Sequence, residues 1–103
     1  MYAGSRQPVI HNEEGVKRAV KKLLTRYGWF FWMPPANAFG RSGISDFHAL
    51  KQGKFLAIET KYGYNKPTAM QRQFLKDVML NDGHVLVVNE DNLDELEDFL
   101  RSV

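Results

Sequence analysis

The chain has 103 residues, a size for one domain with its own hydrophobic core. It is 44% hydrophobic and 25% charged, the balance of a folded globular protein, and it has no cysteine, which excludes a disulfide framework, a thiolate nucleophile and a zinc-thiolate site. No apolar run approaches the roughly 18 residues of a membrane helix and no signal-peptide core opens the chain, so a soluble, intracellular, cytoplasmic protein is expected. The formal net charge of +2 conceals an asymmetry. Glu90, Asp91, Asp94, Glu95, Glu97 and Asp98 are six of the twelve acidic residues, and all but one of the 14 Lys and Arg precede them. A basic body ahead of an acidic tail suits a polyanionic partner, and is also common in proteins that bind none.

Residues 1–10 show no periodicity and contain Gly4, Ser5 and Pro8, which predicts a flexible arm, with Arg6 as a possible phosphate contact. A first helix is expected from about Asn12 to Tyr27, capped by Asn12 and ended by Gly28. Val16, Ala19, Val20, Leu23, Leu24 and Tyr27 make its apolar stripe, and Lys17, Arg18, Lys21 and Lys22 an opposite basic face. Glu13 lies in register with Val16, Val20 and Leu23 and points along the inward stripe, whereas Glu14 falls outside. Both carboxylates also simply favour the helix dipole. Trp29-Phe30-Phe31-Trp32-Met33 then reads as a strand, stopped by Pro34-Pro35. The segment from Pro34 to Ser42, with Asn37, Gly40 and Arg41, is either a connector or a substrate-contacting loop.

The most informative stretch runs from Gly43 to Lys61. Two apolar-rich strands flank Lys51-Gln52-Gly53-Lys54, and Gly53 supplies the positive φ that a two-residue hairpin loop needs. With Gln52-Gly53 as the loop, Asp46 sits opposite Glu59 and Ile44 opposite Lys61. Cross-strand Cβ atoms lie roughly 4.5–5.5 Å apart, and Lys61 shares the face of Glu59 by the period of two. Two carboxylates this close repel unless a cation neutralises them, and a hard, oxygen-loving ion such as Mg²⁺ is a natural solution. A charge-paired surface hairpin, in which Lys61 merely balances Glu59, is the plainer alternative.

Beyond Lys61, Thr68 is a good N-cap for a helix carrying Met70, Phe74, Leu75, Val78 and Met79 inward and stopping at Gly83. Gln71 lies in its first turn. Val85 to Val88 reads as a buried strand, and a last helix from about Asn92 to Arg101 presents Leu93, Leu96, Phe99 and Leu100. The expected fold is α/β, a single domain over 1–103 with an αβββαβ core and a mixed four-stranded sheet flanked by helices. Those helices should cover the face of Phe47, Ala49, Leu56 and Ile58. His11, His48 and His84 are scattered; His48 shares the face of Asp46 and reads more readily as a half-buried structural histidine than as a site residue.

This order of elements, with Asp46 and Glu59-Thr60-Lys61 on the second and third strands and Glu13 on the first helix, resembles the PD-(D/E)xK nuclease superfamily, with its restriction-endonuclease-like core. More narrowly it resembles the virus-type replication-repair nuclease (VRR-NUC) domain. Gly43-Ile44-Ser45-Asp46 stands where that family commonly has Gly-Val-Pro-Asp, so Ser45 replaces a proline that supplies no ligand. Ile58-Glu59-Thr60-Lys61, Thr68-x-x-Gln71 and Gly83 before the Val-rich strand complete the match, which spans roughly Glu13 to Val88.

The resemblance implies a metal-dependent DNA endonuclease. Asp46, Glu59 and the main-chain carbonyl of Thr60 would bind Mg²⁺ or Mn²⁺, with Glu13 completing the site directly or through water. Lys61 would position the attacking water, Gln71 would assist, and a 3′-oxygen would depart. The bare-domain length resembles the stand-alone phage and bacterial members, implying a homodimer that acts on branched DNA such as four-way (Holliday) junctions in repair. Trp29, Phe30 or the last helix are candidates for its interface. Three other readings stay open: a general or restriction-type endonuclease with the same site, a catalytically silent DNA-binding module, and a small structural or interaction protein. No recognition helix or zinc finger is evident, so shape and phosphate contacts are expected to outweigh base reading.

Overall fold

A computed structural model describes residues 9–35 and 40–103. Most of the predicted arm, Arg6 included, and Asn37 of the predicted loop lie outside the described residues. The elements follow as α1 (Glu13–Arg26), β1 (Phe30–Trp32), β2 (Phe47–Lys51), β3 (Lys54–Thr60), α2 (Ala69–Leu80), β4 (His84–Val88) and α3 (Leu93–Arg101). The sheet order is β1-β2-β3-β4, antiparallel at the first two junctions and parallel at the third. The expected αβββαβ core and mixed four-stranded sheet are therefore present.

Local chemistry explains the boundaries. Asn12 accepts from the Gly15 amide at 2.9 Å to open α1, and Gly28, at φ +74°, carries the chain out of it. The hairpin pairs Phe47 with Ile58, Ala49 with Leu56 and Lys51 with Lys54, the expected register. Gln52 and Gly53 have φ of 50° and 82°, the doubly positive pattern of a tight turn that matches strand twist. β1 is shorter than expected. Met33 has left the strand, and Trp29 precedes it, buried, with its indole Nε1 donating to the Leu100 carbonyl. Trp29 is thus a core residue and no interface element, while Phe30 beside it is exposed. Ile10, placed in the predicted arm, packs against the core.

The sheet has two unlike faces. Phe47, Ala49, Leu56 and Ile58 are fully buried beneath Val16, Val20 and Leu24 of α1 and Leu96 and Leu100 of α3. On the other face α2 crosses β3 and β4, with Phe74 stacked on His48 at 5.6 Å between ring centroids. Of the helix's five expected inward residues only Leu75 is buried, and Met70 and Met79 are more than half exposed. α2 touches the sheet along one narrow row, so the ends of its stripe overhang. β4 is less buried than its composition suggests, since it forms the sheet edge and only Val88 is enclosed. Among the described residues, no helix is long and apolar enough to cross a membrane.

Candidate functional site

The β2–β3 ladder ends at Phe47 and Ile58. Asp46 and Ile44 consequently lie outside it, and the strand pairs Asp46–Glu59 and Ile44–Lys61 expected from the register do not form. Asp46 turns instead to the next residue of β3. Its Oδ2 accepts from the Thr60 amide at 2.9 Å and from the Thr60 hydroxyl at 2.6 Å. The first bond satisfies an amide that has run past the end of its antiparallel partner strand, and the two together fix the carboxylate.

Glu59 projects from the opposite side of β3 to Ile58 and is 1% exposed. Its Oε2 meets the Lys61 ammonium at 3.3 Å, while Oε1 is buried with no hydrogen-bond partner among the described residues. Burial first, and the negative charge of Asp46 second, push the Glu59 carboxyl up to about 7, against the opposing pull of Lys61. The charge of Glu13 adds to the same upward push. Near neutrality Glu59 is thus poised between its protonated and ionised forms.

Glu13 begins α1 and approaches this cluster from the helix side, whereas Glu14 is exposed. Lys17, one helical turn on, reaches 3.8 Å from Glu13 Oε2 and 3.9 Å from Asp46 Oδ1. The grouping of Lys17 with the outer basic face therefore needs correcting: Arg18, Lys21 and Lys22 are exposed, but Lys17 turns toward the carboxylates. The signal was the four-residue spacing from Glu13, which puts both residues on one flank.

Gln71 is placed differently from Asp46, Glu59 and Lys61. Its Oε1 accepts from the Thr68 amide at 2.9 Å, and the Thr68 hydroxyl accepts from the Gln71 amide at 3.2 Å, a reciprocal cap that opens α2. The backbone around Gln71 still shapes the site. Gly43, at φ +81°, packs so closely that a Cβ there would lie 2.5 Å from the Met70 carbonyl carbon. Only glycine permits that approach, which seats the segment leading to Asp46 on the first turn of α2. Arg41 ties the same segment down through Asp77 at 2.7 Å and lies over the Phe74 ring, so it serves as an anchor. Beyond Lys61, both carboxylate oxygens of Glu90 accept from the Gly63 amide at 3.1 Å and hold the exit loop.

His48 is structural in its contacts: it stacks on Phe74 and meets Trp32 edge-on at 5.5 Å, and burial lowers its pKa. A groove of about 660 Å³ runs between α1 and α3, lined by Ile10, Leu23, Leu93 and flanking charges, but none of Glu13, Asp46, Glu59 or Lys61 borders it.

The donors suit a hard cation in kind: a buried, unpartnered Glu59 Oε1 and an Asp46 Oδ1 whose partner oxygen is already fixed. In number they fall short of a full cage. Among the described residues no group of three or more His, Asp or Glu side chains is placed to hold a metal. Main-chain carbonyls, water or substrate oxygens would have to complete the shell. No protein-family model matches the chain, and no curated protein sequence does either.

Proposed function

We propose that the protein is a divalent-metal-dependent endodeoxyribonuclease of the VRR-NUC kind, a single-domain member of the PD-(D/E)xK superfamily working in the cytoplasm. The observation that carries this reading is Glu59. A carboxylate buried to 1% exposure, with one oxygen unpartnered and a second carboxylate raising its pKa, is unfavourable to the fold on its own. Such a group becomes intelligible when a cation completes it. The basic body of the chain suits a phosphodiester substrate.

In this reading Asp46 and Glu59 hold Mg²⁺ or Mn²⁺, aided by the Thr60 carbonyl and by Glu13. The bound ion supplies Lewis acidity, offsetting phosphate charge and lowering the pKa of a water molecule. Thr60 keeps Asp46 Oδ2 in place, so Oδ1 is presented in one orientation. The Lys61 ammonium, 3.3 Å from Glu59, orients the attacking water and meets charge that develops on the phosphate. Two copies acting as a homodimer would place two such sites for paired cuts across a branched DNA.

The test compares a labelled four-way junction with linear duplex and single-stranded DNA, in Mg²⁺, Mn²⁺ or EDTA. Paired junction cuts are expected, abolished by EDTA and reduced at least about 100-fold in Asp46→Asn and Glu59→Gln. Metal-dependent cutting without junction preference would retain the chemistry and remove the junction assignment. Binding without cutting in any metal would replace the enzyme with a silent DNA-binding module.

A further inference from the structure

Among the described residues, Lys17 is the one charged side chain at the site that the nuclease reading leaves without a task. Its neighbours on the basic run, Arg18, Lys21 and Lys22, are exposed to solvent, but its side chain is only 24% exposed. The ammonium stands 3.8 Å from Glu13 and 3.9 Å from Asp46, almost midway in distance. Both separations exceed the roughly 2.7–2.9 Å of a tight charge-assisted hydrogen bond. A cation that leans on two anions and is bonded closely to neither screens them without being fixed by them.

We propose that Lys17 is a tethered counter-ion, which neutralises Glu13 and Asp46 in the metal-free protein and competes with the divalent cation for Asp46. The inference rests on the metal-binding reading of Asp46 and Glu59, and assigns the residue that sets the affinity of that site. Three carboxylates share this patch with two ammoniums, Lys17 and Lys61. Metal-free, the patch needs Lys17. With a divalent ion bound, that same positive charge repels the newcomer, so the ammonium swings away on its flexible stem toward solvent. A freed lysine beside the ion is also placed to meet a neighbouring phosphate of the bound strand.

The experiment is titration of the whole protein with Mn²⁺, followed by paramagnetic resonance of free Mn²⁺, alongside thermal unfolding in EDTA and in Mn²⁺. Lys17→Met keeps the apolar stem and removes the charge. It is expected to tighten Mn²⁺ binding about tenfold or more, to lower the melting temperature in EDTA, and to recover that loss in Mn²⁺. Lys17→Arg keeps the charge in a forked head that grips carboxylates more firmly, and is expected to weaken Mn²⁺ binding below wild type while folding normally. Wild-type binding with unchanged or weaker affinity in Lys17→Met, or with tighter affinity in Lys17→Arg, would overturn the counter-ion role and leave the metal site standing. Absence of Mn²⁺ binding in all three proteins would overturn both together.

Discussion

The two faces of the sheet are built to opposite ends. Beneath α1 and α3 the face of Phe47, Ala49, Leu56 and Ile58 is apolar and sealed. The face beneath α2 carries a buried carboxylate, a histidine whose buried Nε2 has no partner among the described residues, and the exposed rings of Phe30 and Trp32. One face gains stability from nearly every residue on it. The other tolerates groups that oppose folding, which is where chemistry is usually stored. A chain of this length can afford such a face only because the first one is so completely filled.

The largest effect should come from disturbing the sealed face. Phe47→Ala is expected to lower the unfolding free energy by about 3–5 kcal/mol, a large part of the whole for a small domain. Phe30→Ala, on the opposite face and two-thirds exposed, should change it by less than about 0.5 kcal/mol. Urea unfolding of the two variants checks this, and equal losses would erase the distinction between the faces.

Next in size is the effect of pH through Glu59. Its carboxyl is raised from 4.5 to about 7, so the folded, metal-free protein holds that proton more tightly than the unfolded chain does. The associated stability is fully present below about pH 4.5 and is lost as pH rises through about 7, a change on the order of 3 kcal/mol. In Glu59→Gln that fall should vanish, leaving the variant more stable than wild type at pH 8 in EDTA. A parallel pH profile for the two proteins would show that Glu59 is not strained by its surroundings. The helix that roofs this face contributes less than Glu59: Thr68→Ala removes half of the reciprocal cap with Gln71 and should cost about 1 kcal/mol by the same unfolding measurement.

The sequence made the sealed face legible because period and turn chemistry agree there. Gln52-Gly53 sets the hairpin register, and that register puts Phe47, Ala49, Leu56 and Ile58 on one side without further information. The clustering of charged residues at the end of the hairpin was legible, its geometry less so. Asp46, Glu59 and Lys61 gather as expected, but the bond from Asp46 to Thr60 depends on where the ladder stops, which strand propensity does not specify. Lys17 was hidden inside a run of lysines and arginines, where composition points to solvent and only the spacing from Glu13 points inward. The overhang of Met70 and Met79 is a matter of how α2 seats on the sheet, which its own periodicity does not encode.

The division of labour within the carboxylate pair bears on how such a domain would age. Asp46 has two employments, because its Oδ2 completes the end of β3 through Thr60 whatever its Oδ1 does. Glu59 has one, because its burial leaves Oε1 without a hydrogen-bond partner among the described residues, with Lys61 alone paired to Oε2. In a lineage released from selection for the activity proposed above, Glu59 would be free to drift to glutamine or an aliphatic residue, and the protein would gain stability. Asp46 would persist as a strand terminator. An aspartate retained at this position in a descendant is therefore poor testimony to activity, and a retained, buried glutamate thirteen residues later is good testimony.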